Sequence, residues 1–221
     1  MLARQQKASP EFNCRCGKNY ISFNAGPRQS TVGAAQYLVE QQGVKSLTCV
    51  APGIPCFGDW VCGGVEAYGQ SVNVPVQSVI FDPGALDGTA IALQMAAAGG
   101  EGVVLGMPRG MMLPILSAAE QLDLGSSMKL GLPTSAYHAE MPKAIGGYWA
   151  GKTVVHMELQ PMDKAGPDND AWKAIMAKYG QKGDPVDTFS QAGFLSAKAA
   201  TEALLGIKGN VDRKSVYGAF K

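Results

Sequence analysis

Few side chains in this sequence could do chemistry, and their setting is telling. There are two histidines in 221 residues. His138 follows Tyr137 in a loop, and His156 sits inside an apolar, strand-like run. A nucleophilic serine requires the sharp strand-to-helix elbow of a G-x-S-x-G motif, which holds its hydroxyl out of the fold. No such elbow occurs, so no hydrolytic triad is expected and His156 reads as structural. No G-x-G-x-x-G follows a strand, and there is no G-x-x-x-x-G-K-[ST] phosphate loop. Met111-Met112 opens a helix and reads as packing. Asp82 and Asp87 flank Gly84 and read as turn formers, not as paired acids. The chain is therefore not expected to be an enzyme, and no cofactor or metal is implied.

The five cysteines stand at 14, 16, 49, 56 and 62. Cys14-x-Cys16 is too tight for the usual zinc spacing and lacks a second pair with histidines nearby. Cys49 lies in an apolar strand pattern and reads as a small core residue. A Cys56–Cys62 disulfide is open to the chain in an oxidising compartment.

What remains is a set of loops that mix apolar and polar residues. Pro52-Gly53-Ile54-Pro55-Cys56-Phe57-Gly58-Asp59-Trp60 is the first. Gly106-Met107-Pro108-Arg109-Gly110 and Pro133-Thr134-Ser135-Ala136-Tyr137 follow. Phe57, Met107 and Tyr137 could wall a pocket, Thr134 and Ser135 could offer hydroxyls, and Arg109 a cation. Small-molecule sites have this makeup, apolar walls with few polar anchors. Arg109 reads equally as a surface ion pair, and Trp60 reads as core.

The elements that must carry these loops alternate. Helical spacing runs over 28–42, 59–68, 89–98, 111–122, 168–179 and 188–205, with Asp212 capping a last helix. Pro114 would fit best in the first turn of its helix. Trp172, Ile175, Met176 and Tyr179 fall on one face of theirs. Short apolar runs at 45–51, 73–81, 102–105, 128–132 and 153–159 read as strands, and Pro75 puts the second at an edge or near a strand start. This alternation implies an α/β fold, a Rossmann-like parallel sheet with helices on both faces. Ligands of such sheets sit beyond the carboxyl ends of the strands, where the three loops would emerge.

Composition excludes other classes. Lys plus Arg is 19 against 18 Asp plus Glu, a formal net charge of +1, so nothing suggests a nucleic-acid surface. No apolar run approaches the roughly 20 residues of a membrane span. The first ten residues, MLARQQKASP, lack the apolar stretch of a secretory signal, and the chain stops at Phe220-Lys221 within helix-like sequence. Both ends read as cut.

The order of these signals resembles the type I periplasmic binding proteins, specifically the branched-chain amino acid (Leu/Ile/Val) solute-binding family of ABC transporters. FNAGPRQSTVGAAQYLVEQQGVKSLTCVAPGIPCFGDW is similar to that family's passage into its second lobe. PTSAYHAEMPKAIGGYWAGK and then DPVDTFSQAGF are similar to its return to the first. The resemblance implies a partial first lobe at 1–26, a second lobe at 27–159 and a return segment of the first lobe at 160–221. It implies a binding function: capture of an amino acid, an amide or a small or aromatic carboxylate between the lobes, delivery to an ABC membrane permease, and a place in the periplasm or outside the cell membrane. A sensor domain of the same fold and a Rossmann-like enzyme are the alternatives. In hinge closure each lobe presents residues to the gap. Phe189, Ser190 and Gln191, at the start of the long helix, are the expected first-lobe contacts, behind a cap at Asp187. Amino acid binders of the family hold the substrate ammonium with an acidic residue after the fourth second-lobe strand. Here that place reads Leu132-Pro133-Thr134-Ser135, so the amino acid ligand is the one put in doubt.

Overall fold

The computed structural model describes residues 25–220. Cys14, Cys16 and the expected first-lobe residues up to 24 lie outside it. The described chain divides into two compact units, Gly26–Glu158 and residues 159–220.

The first unit is built on five parallel strands: β1 (Leu47–Pro52), β2 (Val76–Phe81), β3 (Gly102–Leu105), β4 (Lys129–Leu132) and β5 (Thr153–Val155), in the spatial order β2-β1-β3-β4-β5. The helices are α1 (Gly26–Glu40), α2 (Gly58–Ser71), α3 (Gly88–Ala97), α4 (Arg109–Gln121) and the short α5 (Met141–Ile145). The side-chain period of two sends alternate strand residues to opposite faces. On one face Leu47, Cys49, Ala51 and Val104 pack against Ala34, Ala35 and Leu38 of α1 and Val65 of α2. On the other, Val50, Val103, Leu105, Leu130 and Leu132 meet Ile91 and Met95 of α3, Met112 and Ile115 of α4, and Trp149. Burial on both faces explains why β1 and β3 read as unbroken apolar runs.

All five expected strands are present. β2 is an edge strand, with Pro75 just before it, and the Pro75 carbonyl accepts from Leu47 N–H at 2.9 Å. β5 stops at Val155 instead of running to 159. Its neighbour, β4, ends at Leu132, whose carbonyl takes a last hydrogen bond from His156 N–H at 2.8 Å. Pro114 corrects the expectation of a first-turn proline. Pro108 adopts an extended cap conformation, α4 starts at Arg109, and Pro114 lies inside the helix. Phe57 holds the cap position of α2, and Asp59 stands in the first turn, where its charge suits the helix dipole. Asp82 and Asp87 are turn formers, accepting backbone N–H groups of Gly84 and of Thr89 and Ala90.

The cysteines pair differently from the expectation. Cys49 of β1 and Cys62 of α2 form a disulfide, with Cα atoms 5.6 Å apart, and both are buried. Cys56 lies in the exposed turn between them as a free thiol. Cys49 thus is a core residue, but a cross-linked one. Its side chain and that of Cys62 occupy the same inward face between strand and helix.

The second unit holds α6 (Pro167–Tyr179), α7 (Thr188–Leu205) and α8 (Arg213–Ala219). Asp187 caps α7 and Asp212 caps α8, each in a reciprocal capping box. The apolar stripe of α6 is fully covered only at its start. Trp172 is fully buried, whereas Ile175 and Tyr179 are exposed; the side-chain bonds that join α6 to α7, from Asp168 to Lys198 and from Asn169 to Gln191, lie at the start of α6.

Candidate functional site

The chain leaves β1 toward β2 on one side of the sheet and reaches β3 on the other. The point between β1 and β3 is therefore the topological switch, the place where sheets of this kind open a crevice at their carboxyl edge. The turn after β1 and the turn after β3 flank it directly, and the turn after β4 is next along the edge.

The first turn is tightly specified. Gly53 N–H donates to Phe81 O at 2.7 Å and Phe57 N–H to Ile54 O at 3.0 Å. Cys56 takes the left-handed region at φ 60°. Phe57 then caps α2, half-buried, and its carbonyl accepts from Val61 N–H at 2.8 Å. Trp60, one turn in, is half-buried, and the Arg28 guanidinium of α1 lies over its ring at 5.8 Å.

In the second turn, Gly106 N–H donates to Val50 O at 2.8 Å, tying the end of β3 to β1. Met107 corrects the expectation of a pocket wall. Its side chain is 2 % exposed and belongs to the core beneath the turn. Arg109 opens α4 and is half-buried, and no carboxylate among the described residues pairs with it. A cation at a helix start is opposed by the helix dipole, by about 0.3–1 kcal/mol.

In the third turn, Thr134 N–H donates to the Ser30 hydroxyl at 2.8 Å, and Ser135 Oγ donates to Met107 O at 3.0 Å, which joins this turn to the second. Thr134 Oγ1 is buried with no hydrogen-bond partner among the described residues. Tyr137 lies farther along, in the wall of an apolar cavity of about 590 Å³ beside β5 that Met141, Ile145 and Trp149 also line. The structure thus brings Phe57, Arg109, Thr134 and Ser135 to the ends of neighbouring strands, with Tyr137 toward the sheet's β5 edge.

The three residues expected from the long helix have other tasks in their own unit. Ser190 closes the Asp187 capping box. Gln191 is buried and donates to Gln160 O at 2.9 Å and to Asn169 Oδ1. Phe189 is the exposed one.

His156 and Ser30 deserve comparison with a catalytic pair, since Ser30 Oγ and His156 Nδ1 are 3.3 Å apart. Ser30 is wholly buried in a helix and already accepts from Thr134 N–H, and no acid among the described residues orients the imidazole. A nucleophile needs access and an orienting group; this pair is structural. Burial holds the His156 pKa below the ordinary histidine value. Ser30 was not found from the sequence, although a signal existed: it shares the stripe of Ala34 and Leu38 at four-residue spacing, a polar side chain on an inward face. Among the described residues no cluster of three His, Cys, Asp or Glu side chains could hold a metal.

The sequence profile of the periplasmic binding proteins matches residues 7–221, nearly the entire chain. The chain belongs to the periplasmic binding protein family. The fold of this binding protein agrees with solved structures. An extracellular ligand-binding receptor from Verminephrobacter eiseniae superposes with a TM-score of 0.81 at 20% identity, over 96% of this chain and 60% of that one. A solute-binding protein of an ABC transporter from Rhodopseudomonas palustris, in complex with p-hydroxybenzoic acid, gives 0.73 at 19% identity over 88% and 53%. A branched-chain amino acid ABC transporter protein from Thermus thermophilus with bound valine gives 0.71 at 22% over 88% and 51%. The binding protein described here therefore spans between half and three-fifths of these relatives. No curated protein matches it. The family consists of solute-binding proteins, not enzymes, and its members are typically periplasmic or extracellular.

Proposed function

We propose that this chain serves in the solute-binding component of an ABC importer, and that its solute carries a carboxylate anchored by Arg109. The observation that carries this reading is the setting of Arg109. It stands half-buried at a helix start beside the switch-point crevice, where the dipole opposes it, and no described acid neutralises it. An anionic solute would supply the missing charge. Phe57, at the end of the neighbouring strand, would offer an apolar wall, and the 132–135 turn carries hydroxyls but no acid, which favours a small or aromatic carboxylate over an amino acid with its ammonium. The buried Cys49–Cys62 disulfide supports residence in an oxidising compartment, the periplasm or the outer side of the cell membrane. A membrane permease is the partner this role requires.

Calorimetric titration with 4-hydroxybenzoate, benzoate, 4-hydroxybenzamide and L-valine tests the reading. The acids should bind and the amide should bind at least about tenfold more weakly. Arg109→Ala should weaken the acids by roughly 10- to 100-fold, the worth of a charge-assisted hydrogen bond. Equal affinity for acid and amide, or an Arg109→Ala variant with unaltered affinity for the acids, would overturn the carboxylate assignment.

A further inference from the structure

We infer that Ser30 and His156 act as a positioning relay, which holds the Thr134–Tyr137 turn in its binding shape and makes solute capture sensitive to acid. The inference rests on the reading that this turn contributes to the solute site.

The relay is a chain of contacts across three segments. Thr134 N–H donates to Ser30 Oγ at 2.8 Å, and Ser30 Oγ meets His156 Nδ1 at 3.3 Å. His156 N–H donates to Leu132 O at 2.8 Å, two residues before Thr134. One buried hydroxyl on α1 therefore ties the turn after β4 to the residue that follows β5, and the histidine returns to the base of that turn through its backbone. Ser30 Oγ is the acceptor of the Thr134 N–H among the described residues, and a part-buried donor deprived of its partner is costly. The turn it fixes carries Thr134 Oγ1, itself buried and unpartnered among the described residues, and Ser135, whose hydroxyl spans to the Met107 carbonyl. A shift in this turn would propagate to the end of β3, next to Arg109.

The imidazole is seated for this task. It lies flush on α1 at Gly33, where any Cβ would overlap the ring. Gly33, Ala34, Tyr37, Val154, Val155 and Met157 share its cavity, about 420 Å³ in volume. Among the described residues Tyr37 is the only other titratable side chain in that lining, and the turn side presents Thr134, which does not titrate in this range. Burial favours its neutral form, and no charged group among the described residues opposes that. A neutral ring protonated on Nε2 accepts at Nδ1 from the Ser30 hydroxyl, which keeps the hydroxyl's lone pairs toward Thr134 N–H. Protonation makes Nδ1 a donor, reverses that end of the relay and places a cation among apolar neighbours. Capture should therefore be intact at neutral pH and weaken as pH falls below the ordinary histidine value of about 6.5.

The experiment uses the 221-residue chain, with 4-hydroxybenzoate as the probe, and three variants, Ser30→Ala, Ser30→Thr and Gly33→Ala. Three quantities are read between about pH 8 and about pH 5: hydrogen-exchange protection of the peptide spanning Thr134–Tyr137, the NMR titration of the His156 ring, and probe affinity. Ser30→Ala should lower protection of the turn about tenfold, weaken the probe about tenfold and flatten the pH profile of both. Ser30→Thr retains a hydroxyl and should restore them. Gly33→Ala leaves Ser30 in place but displaces the ring, and should flatten the pH profile with smaller loss at neutral pH. Turn protection in Ser30→Ala that equals the parent chain's, with the same pH profile, overturns the relay even if the probe binds. A parent chain that binds no 4-hydroxybenzoate at any pH counts against the carboxylate reading, while the exchange and NMR profiles still decide the relay.

Discussion

Replacing Gly58 by alanine is expected to destabilise the chain by about 3 kcal/mol, at the upper end of what overpacking costs. The reason is local. A Cβ at Gly58 would overlap the Pro52 carbonyl oxygen and lie 3.0 Å from its carbon. Both are backbone atoms, so no side-chain rotation relieves the clash. The end of β1 and the start of α2 cannot easily part. Gly53 is bonded to Phe81, Phe57 to Ile54, and Val61 back to Phe57. The strain would fall on Phe57, so solute affinity should drop along with stability. Gly63→Ala on the same helix is the control, because nothing lies within 4 Å of a Cβ there. That change should be neutral, or stabilise by up to about 1 kcal/mol through helix propensity. Urea unfolding followed by tryptophan fluorescence measures both. Equal midpoints for the two variants would refute the close approach at Gly58.

The same glycine shows what was legible in the sequence. An apolar strand, a Gly/Pro turn and an aromatic-Gly pair opening a helix specify a β-turn-α unit, and periodicity alone placed all five strands within a few residues. The ends were less legible because they depend on partners. β5 reads as apolar to residue 159 but stops where β4 gives out, and α6 carries a full apolar stripe of which Trp172 is buried, Met176 half-buried and the rest exposed. Pairing and coverage are tertiary facts that a local pattern cannot contain.

The site was legible in its loops but not in its side chains. Alternation alone placed Phe57, Arg109 and Thr134 at neighbouring strand ends. Met107 failed because a turn residue can fold back into the core beneath its own loop, and sequence does not show which way a methionine points. Ser190 is engaged because a polar residue at a helix start satisfies the helix first, and Gln191 because it is buried against Gln160 and Asn169. Ser30 was overlooked for the opposite reason. A serine in a small-residue helix looks inert until the backbone N–H of a residue 104 positions away in sequence reaches it.

Removing the Cys49–Cys62 disulfide by the double change Cys49→Ala, Cys62→Ala is expected to cost about 3 kcal/mol. Closing a loop of about this length restricts the unfolded chain by roughly that amount. The loop it closes, with a sequence separation of 13, contains the entire turn from Pro52 to Gly58 that borders the switch-point crevice. The disulfide therefore tethers both flanks of the turn, β1 on one side and α2 on the other. Its loss should weaken solute binding as well as stability. Reductant added to the folded chain should have little effect, since both sulfur-bearing residues are no more than 1 % exposed. Reductant in urea should lower the unfolding midpoint of the parent chain to that of the double variant. Cys56→Ser serves as control: an exposed thiol outside the pair should change stability by less than about 0.5 kcal/mol. Peptide mapping without reduction decides the pairing directly. A peptide joining Cys56 to Cys62 would refute the pairing and move the tether from the strand to the turn itself.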